Sequence, residues 1–140
     1  MKYAAVLSSL LSGALAVQLS FDPVYDNKNG SMDTVECSTG SNGLITRFGF
    51  KTFGDLPSFP NIGGAQAVEG FNSAACGSCF NLTFAQTGKT ITVLAIDHAD
   101  SGFNVGQVAM DDLTNGQAVQ LGIVQVNATQ VPGTACGLPA

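Results

Sequence analysis

The chain contains no Trp, a single His and only five Lys plus Arg, and charged residues fill just 11% of its 140 positions. Against ten Asp plus Glu, that scarcity of basic groups leaves a net charge of -5, which repels phosphate backbones and excludes nucleic acid as a partner. Low charge density beside 45% hydrophobic residues excludes an intrinsically disordered chain, whose signature is few apolar residues and many like charges. Without Trp, and with two Tyr, a flat aromatic platform for stacking on sugar rings is poorly supplied. A G-x-S-x-G elbow, a phosphate-binding loop and a dinucleotide fingerprint are all missing. One His leaves only scattered carboxylates as further metal ligands. No catalytic nucleophile, cofactor or metal site is therefore specified, and the length suits one small domain.

The N-terminus reads MKYAAVLSSLLSGALAVQ, with one basic residue at Lys2, an apolar stretch to Leu15 and the small-x-small pattern Ala14-Leu15-Ala16. This is the pattern of a secretory signal peptide. The run is too short, and too interrupted by Ser8, Ser9 and Ser12, for the about 20 apolar residues of a membrane span. Cleavage after Ala16 is expected, leaving residues 17–140 as the mature domain of a secreted protein.

All four cysteines, Cys37, Cys76, Cys79 and Cys136, lie in that mature part. An even count in a small secreted chain reads as a disulfide framework, here two bridges, and the spacing leaves all three pairings open. Cys76-Gly77-Ser78-Cys79 is also a C-x-x-C, the form of a redox motif or half a zinc site in a cytosolic protein. The secretory leader and the wide spacing of the other two cysteines favour bridges.

Strict alternation in Cys79–Phe84 puts Phe80, Leu82 and Phe84 on one face of a strand. The same count over Gly122–Val131 buries Val124, Val126 and Ala128. These readings turn Asn81 and Asn127 outward, as two of the three N-x-S/T sequons, at Asn29, Asn81 and Asn127, require if glycosylated. Thr90–His98 is β-branched and apolar on both faces, the pattern of a central strand, and a turn over Gln86–Lys89 joins it to the Cys79 strand as a hairpin. Weaker strands are expected at Leu19–Tyr25, Thr34–Cys37, Ala67–Glu69 and Gln107–Met110. Short helices are expected near Asn42–Arg47 and from Asp111 to Leu121, the second with its acidic pair at the N-terminus. Phe48–Gly64 holds four Phe among Pro and Gly and reads as a long apolar loop. The whole suggests a mainly β fold, a small barrel with short helices.

Hydrolysis of a glycosidic bond requires two carboxyl groups flanking it. Asp97, ending the central strand on the side of Ile91, Val93 and Ala95, is the sharpest candidate. Asp111 and Asp112 read more simply as helix caps, and Asp100, before Ser101-Gly102, as a turn residue. Alternation sends His98 to the face opposite Asp97, so it reads as a hydrogen-bonded structural residue.

Three segments together, Cys37-Ser38-Thr39-Gly40-Ser41-Asn42-Gly43-Leu44-Ile45-Thr46-Arg47, Cys76-Gly77-Ser78-Cys79 and Ile96-Asp97-His98-Ala99, resemble the cerato-platanin family of small secreted fungal proteins, and the resemblance covers essentially the whole mature chain. It implies a six-stranded double-psi β-barrel like the first domain of expansins, with bridges Cys37 to Cys76 and Cys79 to Cys136. It further implies a non-hydrolytic protein of the fungal wall and culture fluid that binds chitin-type N-acetylglucosamine oligomers, loosens polysaccharide, self-assembles at interfaces and elicits plant defence. Cellulose and a host plant receptor are further partners of this kind.

By the same resemblance Asp97 matches the family's central aspartate, which is associated with carbohydrate. It would accept two sugar hydroxyls, each charge-assisted bond contributing roughly 1.5–3 kcal/mol. Asn42, Arg47, Ser101 and Asn104 complete the expected carbohydrate-binding set. One departure concerns the residues after Arg47, where the family often shows Tyr-Gly-Trp and this chain has Phe48-Gly49-Phe50. An exposed, purely apolar Phe48–Phe59 segment would drive surface assembly, the competing emphasis.

Overall fold

The structure, a computed structural model, describes residues 14–140. The expected leader falls outside these residues except for its last three. Six strands, β1 (Leu15–Phe21), β2 (Ile62–Ala65), β3 (Cys79–Phe84), β4 (Lys89–His98), β5 (Phe103–Val105) and β6 (Val124–Val131), close into a barrel in the order β1-β5-β2-β4-β3-β6. The β1–β5 and β2–β4 pairs are parallel and the other four are antiparallel. This is the mixed six-stranded barrel that the resemblance implied. Closure removes free sheet edges, so every strand finds two partners.

The three strongest strand readings hold. In β3 the side chains of Phe80, Leu82 and Phe84 are buried and those of Asn81 and Thr83 half-exposed, and β6 buries Val124, Val126 and Ala128 while exposing Gln125 and Asn127. Along β4, Val93, Leu94, Ala95 and Ile96 are all buried, which explains its lack of alternation. Its inner face meets the core, and its outer face is covered by chain crossing at Cys37, whose N–H donates to the Ile96 carbonyl (3.1 Å), and at Asn61, whose carbonyl accepts from Leu94 N (3.1 Å). Each fully buried aliphatic side chain of this kind contributes roughly 1.5–3 kcal/mol. The β3–β4 turn lies at residues 85–88, one residue before its expected place, because Phe84 pairs with Lys89.

The weaker strand expectations fail in instructive ways. The strand expected at Leu19–Tyr25 begins at Leu15 and ends at Phe21, because Pro23 opens a 3-10 turn over Pro23–Asp26 capped by the Asp22 side chain. Thr34–Cys37 is not a strand; Met32–Thr34 is a 3-10 turn capped by Ser31. Ala67–Glu69 is also irregular, and the strand lies earlier, at Ile62–Ala65, overlapping the end of the stretch read as loop. Gly63 and Gly64 hide it from propensity, yet they are needed there: a Cβ on Gly64 would sit 2.5 Å from the His98 carbonyl oxygen.

Gln107–Met110 is helical, not extended. Helix α2 (Gln107–Thr114) follows α1 (Leu44–Phe48) and precedes α3 (Ala118–Leu121). Helix α2 starts where it does because the Asp26 carboxylate, far away in sequence, accepts from Gln107 N (3.0 Å) and Val108 N (3.1 Å), satisfying two of the free N–H groups of its first turn. Asp111 and Asp112 therefore lie inside α2 rather than at its start. Asp111 still caps a helix, since its Oδ1 accepts from Ala118 N (2.9 Å) at the start of α3.

Both disulfides pair as the resemblance implied, Cys37 with Cys76 and Cys79 with Cys136, with Cα–Cα distances of 5.4 and 5.9 Å, and no cysteine is free. They close loops of 39 and 57 residues, each worth up to roughly 4 kcal/mol in the loop-entropy account. The Phe-rich segment is not an exposed apolar loop. Phe53 is 1% exposed, and Phe48, Phe50 and Phe59 pack half-buried against the core. The exposed aliphatic side chains stand elsewhere, and three of them, Val119, Leu121 and Ile123, fall within five residues around α3.

Candidate functional site

Asp97, at the penultimate position of β4, is half-buried and held by three donors. Its Oδ2 accepts from the Tyr25 hydroxyl (2.8 Å), and its Oδ1 accepts from Glu36 N (3.1 Å) and His98 N (3.0 Å). Burial first, and then the neighbouring Asp97 carboxylate, push the Tyr25 hydroxyl far above its usual range, so it stays a phenol and donates. A carboxylate has about four acceptor positions; three are filled here by the chain itself. Asp97 also ties the loop at Glu36 to the end of the barrel.

His98 points away from Asp97, as alternation requires. Its Nδ1 lies 2.7 Å from the Val68 carbonyl and its Nε2 lies 3.0 Å from Asp100 Oδ1. Both neighbours are acceptors, so only the doubly protonated ring donates to both. The Val68 carbonyl first, and then Asp100, raise the His98 pKa above its ordinary value. The structural reading of His98 holds, with one addition: it forms part of the wall of a recess.

That recess, about 400 Å³, is lined by Gln18, Ser20, His98, Ala99, Asp100, Ser101 and Asn104. The parallel β1–β5 register sets Ser20 beside Asn104, and the Ser20 hydroxyl donates to Asn104 Oδ1 (3.0 Å). Close approach of the turn before β5 to β1 demands Gly102, whose φ is +54° and where a Cβ would collide with the Gln18 carbonyl. The lining is almost wholly amide, hydroxyl, imidazole and carboxylate. Among the described residues, no group of three His, Cys, Asp or Glu gathers to hold a metal ion.

Of the residues singled out by sequence, Ser101 and Asn104 therefore share one recess, and Asp97 adjoins it through His98. Asn42 is outside the lining of that recess. Its N–H donates to Asn72 Oδ1 (2.8 Å) and its Nδ2 to the Asn72 carbonyl (3.0 Å), while Asn72 N donates weakly to the Glu36 carbonyl (3.5 Å). Arg47 is also outside it: its Nη1 donates to the Cys76 carbonyl (3.2 Å) and its guanidinium lies 4.7 Å from the Phe48 ring centroid. Sequence reasoning missed Gln18, Ser20, Tyr25, Glu36 and Asn72. Starting β1 four residues earlier would have added Gln18 to the outer face, on the side of Ser20. For Tyr25, Glu36 and Asn72 no local signal exists, because their partners lie 30 or more residues away.

The cerato-platanin family model matches residues 17–138. The chain belongs to the cerato-platanin family. Among curated relatives, the Allergen Asp f 15 homolog of Arthroderma benhamiae is 54% identical over 134 residues, 96% of this chain and 64% of the relative. The chain thus spans less than two thirds of that relative's length. Among solved structures, cerato-platanin 3 from M. perniciosa superposes with a TM-score of 0.84 at 54% identity, covering 89% of this chain and all of the other. The fungal elicitor cerato-platanin gives 0.76 at 36% identity over 86% and 96% of the two chains. No helix among the described residues is long and apolar enough to cross a membrane.

Proposed function

We propose that this cerato-platanin is a secreted, non-hydrolytic carbohydrate-binding protein of the expansin kind, which takes up N-acetylglucosamine oligomers of the chitin type at the recess beside Asp97. The observation that carries this reading is the character of the recess: Gln18, Ser20, Ser101 and Asn104 supply neutral donors and acceptors, and His98 and Asp100 add charge-assisted ones. A shallow polar cleft of this composition suits a neutral polyhydroxy ligand, which presents both hydroxyl donors and acceptors. Asp97 contributes its single open acceptor position and holds the adjoining loop, while Asn42 and Arg47 do not line the recess. Disruption of noncovalent contacts between polysaccharide chains, and elicitation of plant defence through a host receptor, would follow from wall binding. Cellulose is a further ligand of the same chemistry.

Amide NMR titration of the oxidised protein with N-acetylglucosamine oligomers tests the reading. Saturable shifts at Gln18, Ser20 and residues 97–104 are expected; shifts elsewhere, or none, would overturn it. A second reading, a surface-active protein that self-assembles at interfaces, draws on the exposed Val119 (64%), Leu121 (38%) and Ile123 (56%), since apolar patches mark association sites. Surface tension measured on Val119→Ser and Ile123→Ser variants decides it, and unchanged surface activity would count against it.

A further inference from the structure

The cross-strand register orders the outer face of the barrel into rows. Thr92, Asn81 and Thr129 stand side by side on β4, β3 and β6, and Thr90, Thr83 and Asn127 form the next row. The series steps on with Gln125 beside Gln18 on β6 and β1, and then Ser20 beside Asn104 on β1 and β5. Sheet geometry spaces these side chains about 4.8 Å apart between strands and about 6.7 Å apart along them.

Every member of the series is an amide or a hydroxyl. The outer face of a barrel is polar by default, but such faces ordinarily carry Lys, Glu and Asp. Here the acidic residues are excluded: of ten Asp plus Glu, only Asp97 lies in a strand. The belt also has two defined ends. One is the recess at His98, to which Gln18, Ser20 and Asn104 belong. The other is a separate recess of about 370 Å³ that includes Thr92, Ser58, Asn61 and Thr134, where the buried Ser58 Oγ has no hydrogen-bond partner.

We propose that this belt is a track for an extended, neutral polysaccharide chain, running from the His98 recess across β1, β6 and β3 to the recess at Ser58. The inference rests on the carbohydrate reading above and adds that the ligand is a chain long enough to cross several strands. An uncharged partner matches an uncharged face: no ion has to be stripped of water, and amides and hydroxyls both donate and accept, so they meet sugar hydroxyls and acetamido groups in either sense. At the far end the recess is lined by Thr92, Asn61 and Thr134, further amide and hydroxyl groups for the chain to meet. Asn81 and Asn127 lie on the track and each begins a sequon, so an N-glycan on either would cover it.

Calorimetric titration of the oxidised full chain, produced in a host that does not attach N-glycans, tests the track with N-acetylglucosamine dimer and hexamer. Affinity is expected to rise at least tenfold from dimer to hexamer, because the dimer fills only the recess at His98. A Thr83→Ala/Thr90→Ala/Gln125→Ala variant should lose that gain with length. Amide shifts on outward residues of β3 and β6, present with hexamer and missing with dimer, would support the track without any substitution. Equal affinities for the two oligomers, or a variant that keeps the gain, would overturn the track and leave the recess reading standing. Binding of neither oligomer would overturn both.

Discussion

Replacing Asp97 by Ala removes an acceptor that joins three parts of the chain. Two of its bonds are long-range, from the Tyr25 hydroxyl 72 residues away and from Glu36 N 61 residues away. Tyr25 is 5% exposed, so its hydroxyl would be left buried without an acceptor. Hydrogen bonds to a charged group contribute about 1.5–3 kcal/mol each, and the two bonds together predict a loss of about 3–6 kcal/mol. The Asp97→Asn variant keeps an acceptor oxygen for the two N–H groups, and Tyr25 can rotate to accept from its amide; about 1–2 kcal/mol should be lost. Guanidinium unfolding with disulfides intact measures both. With a slope of about 3–5 kcal/mol/M for a domain of this size, the Ala variant should shift the midpoint by about 1 M. A loss under about 1 kcal/mol for Ala, or an Asn variant as costly as Ala, would refute the view that Asp97 is a structural tie. The same reasoning bears on ligand binding: lost affinity in Asp97→Ala alone would not separate ligand contact from loop release, whereas Tyr25→Phe opens a second acceptor position on Asp97 while leaving Glu36 held.

Three other perturbations follow from the same structure. His98 has a raised pKa, so its clamp on Val68 and Asp100 should be fully present below the unfolded value of about 6.5 and be lost as pH rises through the higher folded value; the thermal midpoint of His98→Gln should lack that decline, and an NMR titration of the ring placing its pKa at or below about 6.5 would refute the clamp. Asp26→Ala strips the N-terminal cap of α2 and should cost about 1–2 kcal/mol, with hydrogen exchange accelerating first at Gln107 and Val108; unchanged exchange there would count against it. Gly63→Ala places a Cβ 2.7 Å from Val105 Cα and should destabilise by roughly 1–3 kcal/mol through overpacking, measured by denaturant unfolding, whereas Gly70→Ala, with open space around it, should be nearly neutral.

The strands that could be read from sequence are those whose neighbours repeat a two-residue pattern. β3 and β6 each present one face to the core and one to water, so burial alternates along residues 80–84 and 124–128. β4 was legible by its length and its β-branched content. β2 was not, because Gly63 and Gly64 are selected by the nearness of the β5 and β4 backbones rather than by any preference of their own. The start of α2 was missed for a related reason: the carboxylate that caps it belongs to Asp26, on another element. The candidate site divides in the same way. Asp97, Ser101 and Asn104 stood out locally, whereas Gln18 and Ser20 join them only through the parallel pairing of β1 with β5.

Composition alone determined that this is a small acidic domain, and the cysteine count pointed to the two bridges that the structure holds. The three family segments together named the architecture and the pairing. Tertiary structure decided that the Phe-rich segment packs inward, that most acceptor positions of Asp97 are taken by its own chain, and that uncharged side chains from separate strands align into one surface. Local sequence encodes what a residue prefers to neighbour in general; it does not encode which distant donor reaches a given carboxylate, or which strand lies beside which, because those follow from barrel closure and register.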